Sequence, residues 1–244
     1  TPLYSSAASD VYKRQDEIHE HYDEFWLKEA GKSIEELISR IPFDGTRVVF
    51  EAGCGTGYAT VRLARRVAGF GEVIAVDLSD GMLQEARRRA QGEAIRNVRF
   101  VLGDALEVMR KTGLFDLIFS SWVLGYITLE DFFGAAWETL SPNGQVAFVA
   151  HKDNSPREPL EIVGEILAED PNVFEKQVLF HFPQDLYHVR SEAERAGLSI
   201  DHLWEGSIAF RYATPDQLLE HLLKSGAGTA YYDAVDPRKR SVLK

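Results

Sequence analysis

The sequence is poor in cysteine, in cations and in long apolar runs, and each shortage removes a class of protein. Its one cysteine, Cys54, has no partner for an internal disulfide and cannot build a cysteine-rich zinc site, and neither His19 with His21 nor His181 with His188 has metal-ligand spacing on a helix, so no metal is expected. No apolar run approaches the ~20 residues that a membrane-spanning helix requires. Lys and Arg number 27 against 38 Asp and Glu, a net charge of −11, so a long phosphate backbone would be repelled by most of the surface. Nucleic acid is thereby set aside as the main partner, and a cytoplasmic protein is expected. What the chain does have is material for a core. It has 244 residues, 45% of them hydrophobic and 27% charged, which disordered and fibrous proteins do not have.

Ser5 to Gln15 reads SSAASDVYKRQ, the frame translation of a transposase sequencing adapter. Residues 1–15 are therefore expected to be a non-native leader left by metagenomic assembly, and fold reasoning starts at Asp16. From there to residue 244 a single domain is expected. Tyr22, Phe25, Trp26, Ile34, Leu37 and Ile41 recur at helical spacing, which predicts a cap over 16–41 made of two helices broken near Gly31. After Pro42-Phe43-Asp44-Gly45 the pattern changes to short apolar runs: RVVFEA, EVIAVDL, VRFVLGD, FDLIFSS and QVAFVAH. Such runs suit strands covered on both faces. YATVRLARRVA, SDGMLQEARRRAQ with Ser79 or Asp80 as cap, and LEDFFGAAWETL read as the helices between them. This alternation predicts a doubly wound α/β sheet. Beyond His151 come a loop, a short helix over 160–169 and an irregular Phe- and His-rich stretch over 171–183, so that 152–183 forms an insertion. A helix over 184–196, strands over 198–204 and 208–212, and a last helix capped by Thr214 follow. The final PRKRSVLK breaks off within a helical pattern.

The chemistry gathers at strand ends. Glu51-Ala52-Gly53-Cys54-Gly55-Thr56-Gly57 joins the first strand to a helix, a turn in which glycines let backbone approach a ligand at a helix N-terminus. A carboxylate at Glu51 would repel a pyrophosphate but attract an ammonium group. Tyr58 stands where the dinucleotide fingerprint needs its third glycine, so a nicotinamide cofactor fits poorly. Asp77 ends the second strand, placed to accept the hydroxyls of a ribose, and Asp104 follows the third. Either aspartate alone could be a helix cap. Together with Glu51 they describe a pocket for adenosine joined to an amino acid.

These residues resemble the class I S-adenosylmethionine-dependent methyltransferases in EAGCGTG, AVDLS, GDA, FDLIFSSWVLGYI and LSPNGQVAFV. The resemblance implies a Rossmann-like seven-stranded sheet of order 3-2-1-4-5-7-6 with strand 7 antiparallel, preceded by N-terminal helices and carrying a lid after strand 5. It implies that Glu51, Gly53, Cys54, Gly55 and Gly57 meet the methionine part of S-adenosylmethionine, Asp77 the ribose, and Asp104 with Ala105 the adenine. Leu78 and Met82 would flank the ring, Ser120 and Ser121 would bound the cofactor from the fourth strand, and Tyr22 joins the cofactor set from the leading helix. The tail FRYATPDQLLEHLLKSGAG resembles malonyl-carrier-protein and quinone-biosynthesis methyltransferases, so the acceptor is expected to be a small molecule or carrier-bound acid. Many relatives carry a His pair where this chain has Gly125-Tyr126. Tyr126, His151 and His181 are the candidates for taking an acceptor's proton, with 152–183 as the acceptor lid. A NAD-type oxidoreductase and a non-catalytic S-adenosylmethionine-binding protein are the alternatives.

Overall fold

The computed structural model describes residues 19, 21–176, 180–226 and 228–239. The adapter-like residues 1–15 lie outside them. Five parallel strands form one sheet: β1 (Val48–Ala52), β2 (Glu72–Asp77), β3 (Val98–Leu102), β4 (Phe115–Ser121) and β5 (Leu140–Val149), in the order β3-β2-β1-β4-β5. The expected runs became strands because Val, Ile and Phe on both faces find cover. Val49, Phe50, Leu117 and Ile118 are wholly buried between the two helical layers, each contributing about 1.5–3 kcal/mol relative to exposure.

Helix α1 (Lys28–Arg40) leads the domain, α2 (Tyr58–Arg66), α3 (Asp80–Gly92) and α4 (Ala105–Thr112) follow β1, β2 and β3, and α5 (Leu129–Thr139) lies between β4 and β5. Beyond the sheet come α6 (Arg157–Glu169), α7 (Leu186–Arg195), α8 (Pro215–Lys224) and α9 (Thr229–Ala234). Side chains close the expected N-termini: Ser79 accepts from the Met82 N–H, Asp104 from Glu107 and Thr214 from Gln217.

Three expectations change. The leading segment is not broken at Gly31, which lies inside α1 because the Tyr58 hydroxyl occupies the place a Cβ would take, 2.6 Å away. The irregularity comes earlier, as a π-helical turn at Asp23–Leu27. The segments 198–204 and 208–212 carry no ladder, so the described sheet has five strands rather than seven. Their alternation reports burial instead of pairing. Leu198, Ile200 and Leu203 pack against the core on one face of the sheet, and Trp204, Ile208 and Phe210 against the core on the other. Finally, the expected last helix is followed by α9. Glu175 N–H donates to the Ala234 carbonyl at 2.7 Å and Asp236 N–H to the Val173 carbonyl at 2.9 Å, which ties the tail to the insertion.

Candidate active site

Parallel strands all end at one edge of the sheet, and β1 delivers the glycine turn there. Gly53 and Cys54 N–H both donate to the Val76 carbonyl at 2.9 Å, pinning the turn against the end of β2. Gly57 has φ +80° and touches α3 so closely that a Cβ would stand 2.9 Å from Ala86 Cα, so no other residue fits. At Gly53 a Cβ would stand 2.2 Å from Val123 Cγ2, whereas at Gly55 it would meet nothing within 4 Å. The turn is tight on its protein side and open at Gly55.

Asp77 supports the same turn. Its Oδ2 accepts the Gly55 N–H at 2.8 Å and its Oδ1 the Ser79 N–H at 2.9 Å. Between the turn, Asp77 and Asp104 lies a cleft of about 670 Å³ including its open mouth. Of the expected cofactor set, Gly53, Gly55, Asp77, Leu78 and Met82 line it from the first two strand ends. Asp104, Ala105, Ser121 and Tyr22 line it from the rest. Cys54 instead faces an adjoining hollow of about 290 Å³ with Thr56, under the leading helix. Ser120 is buried and donates to the Ala52 carbonyl at 3.2 Å, Gly57 sits behind the turn, and Glu51 lies within the core.

Burial dominates the electrostatics here. Glu51 is fully buried, and desolvation pushes its carboxyl up to about 8 against the opposing hydrogen bond from Thr60, with the Asp77 charge adding to the rise. Thr60 Oγ1 donates to Glu51 Oε2 at 2.6 Å, and Oε1 is buried with no partner. Burial also raises the Tyr126 hydroxyl to about 12 and raises Tyr22 further, with smaller contributions from Tyr126, Asp77 and Asp23. Both phenols in the cleft are therefore protonated donors at neutral pH. Cys54 is pushed up by burial and by the Asp77 and Glu51 charges, so its thiol is not a ready nucleophile.

The leading helix is tied down at the site. Thr56 Oγ1 donates to Asp23 Oδ1 at 2.6 Å, and Arg89 pairs with Asp23 Oδ2. This link was not legible in sequence, since its three residues lie on three different elements. The three proton-acceptor candidates separate. Tyr126 lines the cleft. His151 lies in an aromatic cluster with Trp26, Trp122 and Phe182, where burial pulls it down to about 4, and its Nδ1 is 3.2 Å from Ser155 Oγ. His181 is exposed, its backbone N–H bonded to the Gly125 carbonyl at 2.9 Å, so Phe174, Phe180 and Phe182 do not gather around its ring as their sequence proximity suggests. Phe180 stacks on Phe182 at 4.9 Å and meets Tyr126 at 5.6 Å. Trp122, Val123 and Ile127, also in the cleft wall, were not expected. They follow the fourth strand, where the sequence shows only an apolar run. Among the described residues no three His, Cys, Asp or Glu are grouped to hold a metal ion, and no helix is long and apolar enough to cross a membrane.

Comparison with known proteins gives the same direction. Residues 49–144 match a methyltransferase domain family. Over 226 residues the chain is 30% identical to the malonyl-[acyl-carrier protein] O-methyltransferase of Halorhodospira halophila, covering 90% of this chain and 72% of that protein. Over 149 residues it is 29% identical to the demethylmenaquinone methyltransferase of Symbiobacterium thermophilum, covering 58% of this chain but only 59% of that relative. In three dimensions it resembles an O-methyltransferase family protein from Burkholderia thailandensis at a TM-score of 0.54 and 16% identity, over 73% of this chain and 54% of the other, a likeness of fold. The glycine turn, the carboxylates at consecutive strand ends and these relatives together establish that the chain belongs to the S-adenosylmethionine-dependent methyltransferase family.

Proposed function

We propose that this chain transfers the methyl group of S-adenosylmethionine to a small-molecule or carrier-bound acceptor. The observation that carries this reading is the convergence of the Gly53–Gly55 turn, Asp77 and Asp104 on one cleft. Both Asp77 oxygens are aligned at the cleft wall by backbone amides, and a carboxylate at the end of the second strand suits the hydroxyls of a ribose. Leu78, Met82 and Ala105 offer an apolar slot for an adenine beside Asp104. The hollow at Cys54 and Thr56 shares Gly53 and Gly55 with the cleft and offers room for the methionine end of the ligand. The residues present fit the cofactor on these grounds.

When bound, S-adenosylmethionine supplies an already activated sulfonium leaving group. The protein's task is then positioning and exclusion of water. Tyr22, fixed beside the Asp23 tie, covers the cleft from the leading helix. For an acceptor that must lose a proton, His151 is our choice of base. With its own proton on Nδ1 toward Ser155, its Nε2 lone pair would accept the acceptor's proton, and burial keeps the imidazole neutral beforehand. Tyr126 donates from its hydroxyl. Residues 16–41 act as the cap and 152–183 as the acceptor lid of a single domain, with 16–18, 20 and 177–179 outside the described residues, and the protein works in the cytoplasm.

A nicotinamide reading is disfavoured by Glu51 under the turn and by Tyr58 in place of a third glycine. Calorimetric titration tests the cofactor: S-adenosylhomocysteine binds at one site and NAD does not, whereas comparable NAD binding would overturn the reading. Transfer of labelled methyl to compounds of a metabolite extract then separates the enzyme from a protein that only binds the cofactor.

A further inference from the structure

The cleft and the adjoining hollow share a wall made of Tyr22, Gly53, Gly55, Ser121 and Trp122. Four of these are fixed by backbone. Gly53 N–H donates to the Val76 carbonyl at 2.9 Å, Gly55 N–H to the Asp77 carboxylate at 2.8 Å and Trp122 N–H to the Val149 carbonyl at 2.8 Å, while Ser121 ends β4 in register with Val149. Tyr22 alone comes from the leading segment, which changes character at its π-helical turn. From Trp26 onward the segment is anchored in the core by Trp26, Leu27, Ala30 and Ile34, each no more than 7% exposed. Before Phe25 it is held by polar side chains of α3 and the glycine turn. His19 Nε2 lies 3.7 Å from Glu85, Asp23 pairs with Arg89 one turn further along α3, and the buried Thr56 hydroxyl donates to Asp23 at 2.6 Å. The Arg89 guanidinium is itself set against the Tyr58 ring at 5.7 Å. Asp23 is 43% exposed and Arg89 20%, so solvent reaches this tie and leaves it weaker than the apolar anchor behind it. A polar catch in front of an irregular turn, with an apolar anchor behind, is the pattern of a segment that opens locally.

We propose that Asp23, Thr56 and Arg89 are positioning residues that latch Tyr22 across this shared wall, and that S-adenosylmethionine enters, and S-adenosylhomocysteine leaves, when the latch opens. The amino-acid end of the ligand, placed in the hollow, lies under Leu27 and Ile34 and passes Tyr22 on its way in or out. With the latch shut, the phenol keeps water from the sulfonium. All three latch groups belong to the protein, so they hold the segment shut to the same extent with and without the cofactor. Weakening the latch therefore raises the open fraction of both states by one factor. Association and dissociation accelerate together and their ratio, the affinity, stays. A side chain that touched the ligand would instead change dissociation and affinity together. This gate rests on the methyl-transfer reading of the cleft.

The test measures both rate constants for S-adenosylhomocysteine on the full chain by stopped-flow tryptophan fluorescence, to which Trp122 in the shared wall contributes, and the affinity by calorimetry. Asp23→Asn and Arg89→Met break the ion pair from its two sides. Each should speed association and dissociation alike by ~5- to 50-fold, the lower part of the range for a hydrogen bond to a charged group because both partners are partly exposed, with Kd unchanged. Arg89→Lys keeps the charge and should bring both rates back toward wild type. Raising the salt from ~0.1 to ~1 M, which shortens the Debye length from ~10 to ~3 Å, should speed dissociation from wild type and not from Asp23→Asn or Arg89→Met. Wild-type rates in these two variants, or a weaker Kd at an unchanged association rate, overturns the latch. So does a wild-type dissociation rate indifferent to salt, a measurement that needs no variant. If S-adenosylhomocysteine binds the wild type in those samples, the failure falls on this inference alone; if it does not bind, the reading beneath fails with it.

Discussion

Replacing Glu51 by glutamine removes a charge from the core while keeping its shape. Glu51 is 0% exposed and burial pushes its carboxyl from 4.5 up to about 8. Between those values the folded protein holds a proton that the unfolded chain has released. The stabilisation is complete below about pH 4.5 and is lost as pH rises toward 8. Each pH unit well inside the window is worth up to about 1.4 kcal/mol, so the full window is worth about 5 kcal/mol at most. In Glu51→Gln the amide oxygen still accepts the Thr60 hydroxyl, and the amide nitrogen takes the place of the unpartnered Oε1. Burying that amide costs about 1–3 kcal/mol at every pH. The stability of Glu51→Gln relative to wild type should therefore rise by several kcal/mol between pH 5 and pH 8. His151, pulled down to about 4 by burial, loses stability in the opposite direction, as pH falls below 6.5, but both proteins share it and the subtraction removes it. Urea unfolding of both proteins at each unit of pH measures the difference. A difference that does not change with pH, or that falls as pH rises, would refute a buried, protonated Glu51.

Asp77→Ala deprives the Gly55 and Ser79 amides of their acceptor and removes the ribose ligand, so S-adenosylhomocysteine affinity should drop at least ~10- to 150-fold, the factor that a single charge-assisted bond of about 1.5–3 kcal/mol supplies; unchanged affinity by calorimetry contradicts the assignment. Gly125→Ala places a Cβ 2.1 Å from the Phe182 ring at φ +128°. It should cost about 1–3 kcal/mol of stability and slow transfer, with cofactor affinity kept, if the insertion serves as the lid. For an acceptor that must lose a proton, His151→Gln should lower kcat ~10²- to 10⁴-fold, and His181→Ala should leave kcat unchanged because its side chain is exposed. The reverse pattern would exchange their roles. A chain starting at Asp16 should keep its melting temperature and its affinity for S-adenosylhomocysteine; loss of folding would show that residues 1–15 are native.

The parallel sheet was legible because its information is local. Short, continuously apolar runs such as VVFEA and VIAV suit strands covered on both faces, and the helix caps Ser79, Asp104 and Thr214 carry their own signal. The carboxylates at the ends of β2 and β3 were legible for the same reason, since topology alone brings parallel strand ends together. What stayed hidden depends on contacts across the chain. The Asp23–Thr56–Arg89 tie joins residues 33 and 66 apart from Asp23 in sequence. Apolar alternation at 198–212 marked two buried faces but could not report whether a ladder forms. The Phe–His–Phe order of residues 180–182 suggested a histidine among aromatics, whereas alternation along an extended segment leaves Phe180 and Phe182 stacked and His181 exposed. The histidine that does sit among aromatic rings, His151, has partners drawn from the leading helix, β4's end and the insertion.

A crystal structure of the chain grown with S-adenosylhomocysteine tests the assignment of the cleft most directly. The ribose hydroxyls are expected within hydrogen-bond distance of the Asp77 carboxylate, the adenine between Leu78 and Met82 beside Asp104, and the homocysteine end along Gly53 and Gly55. Density for the ligand elsewhere, or a ribose remote from Asp77, would contradict it.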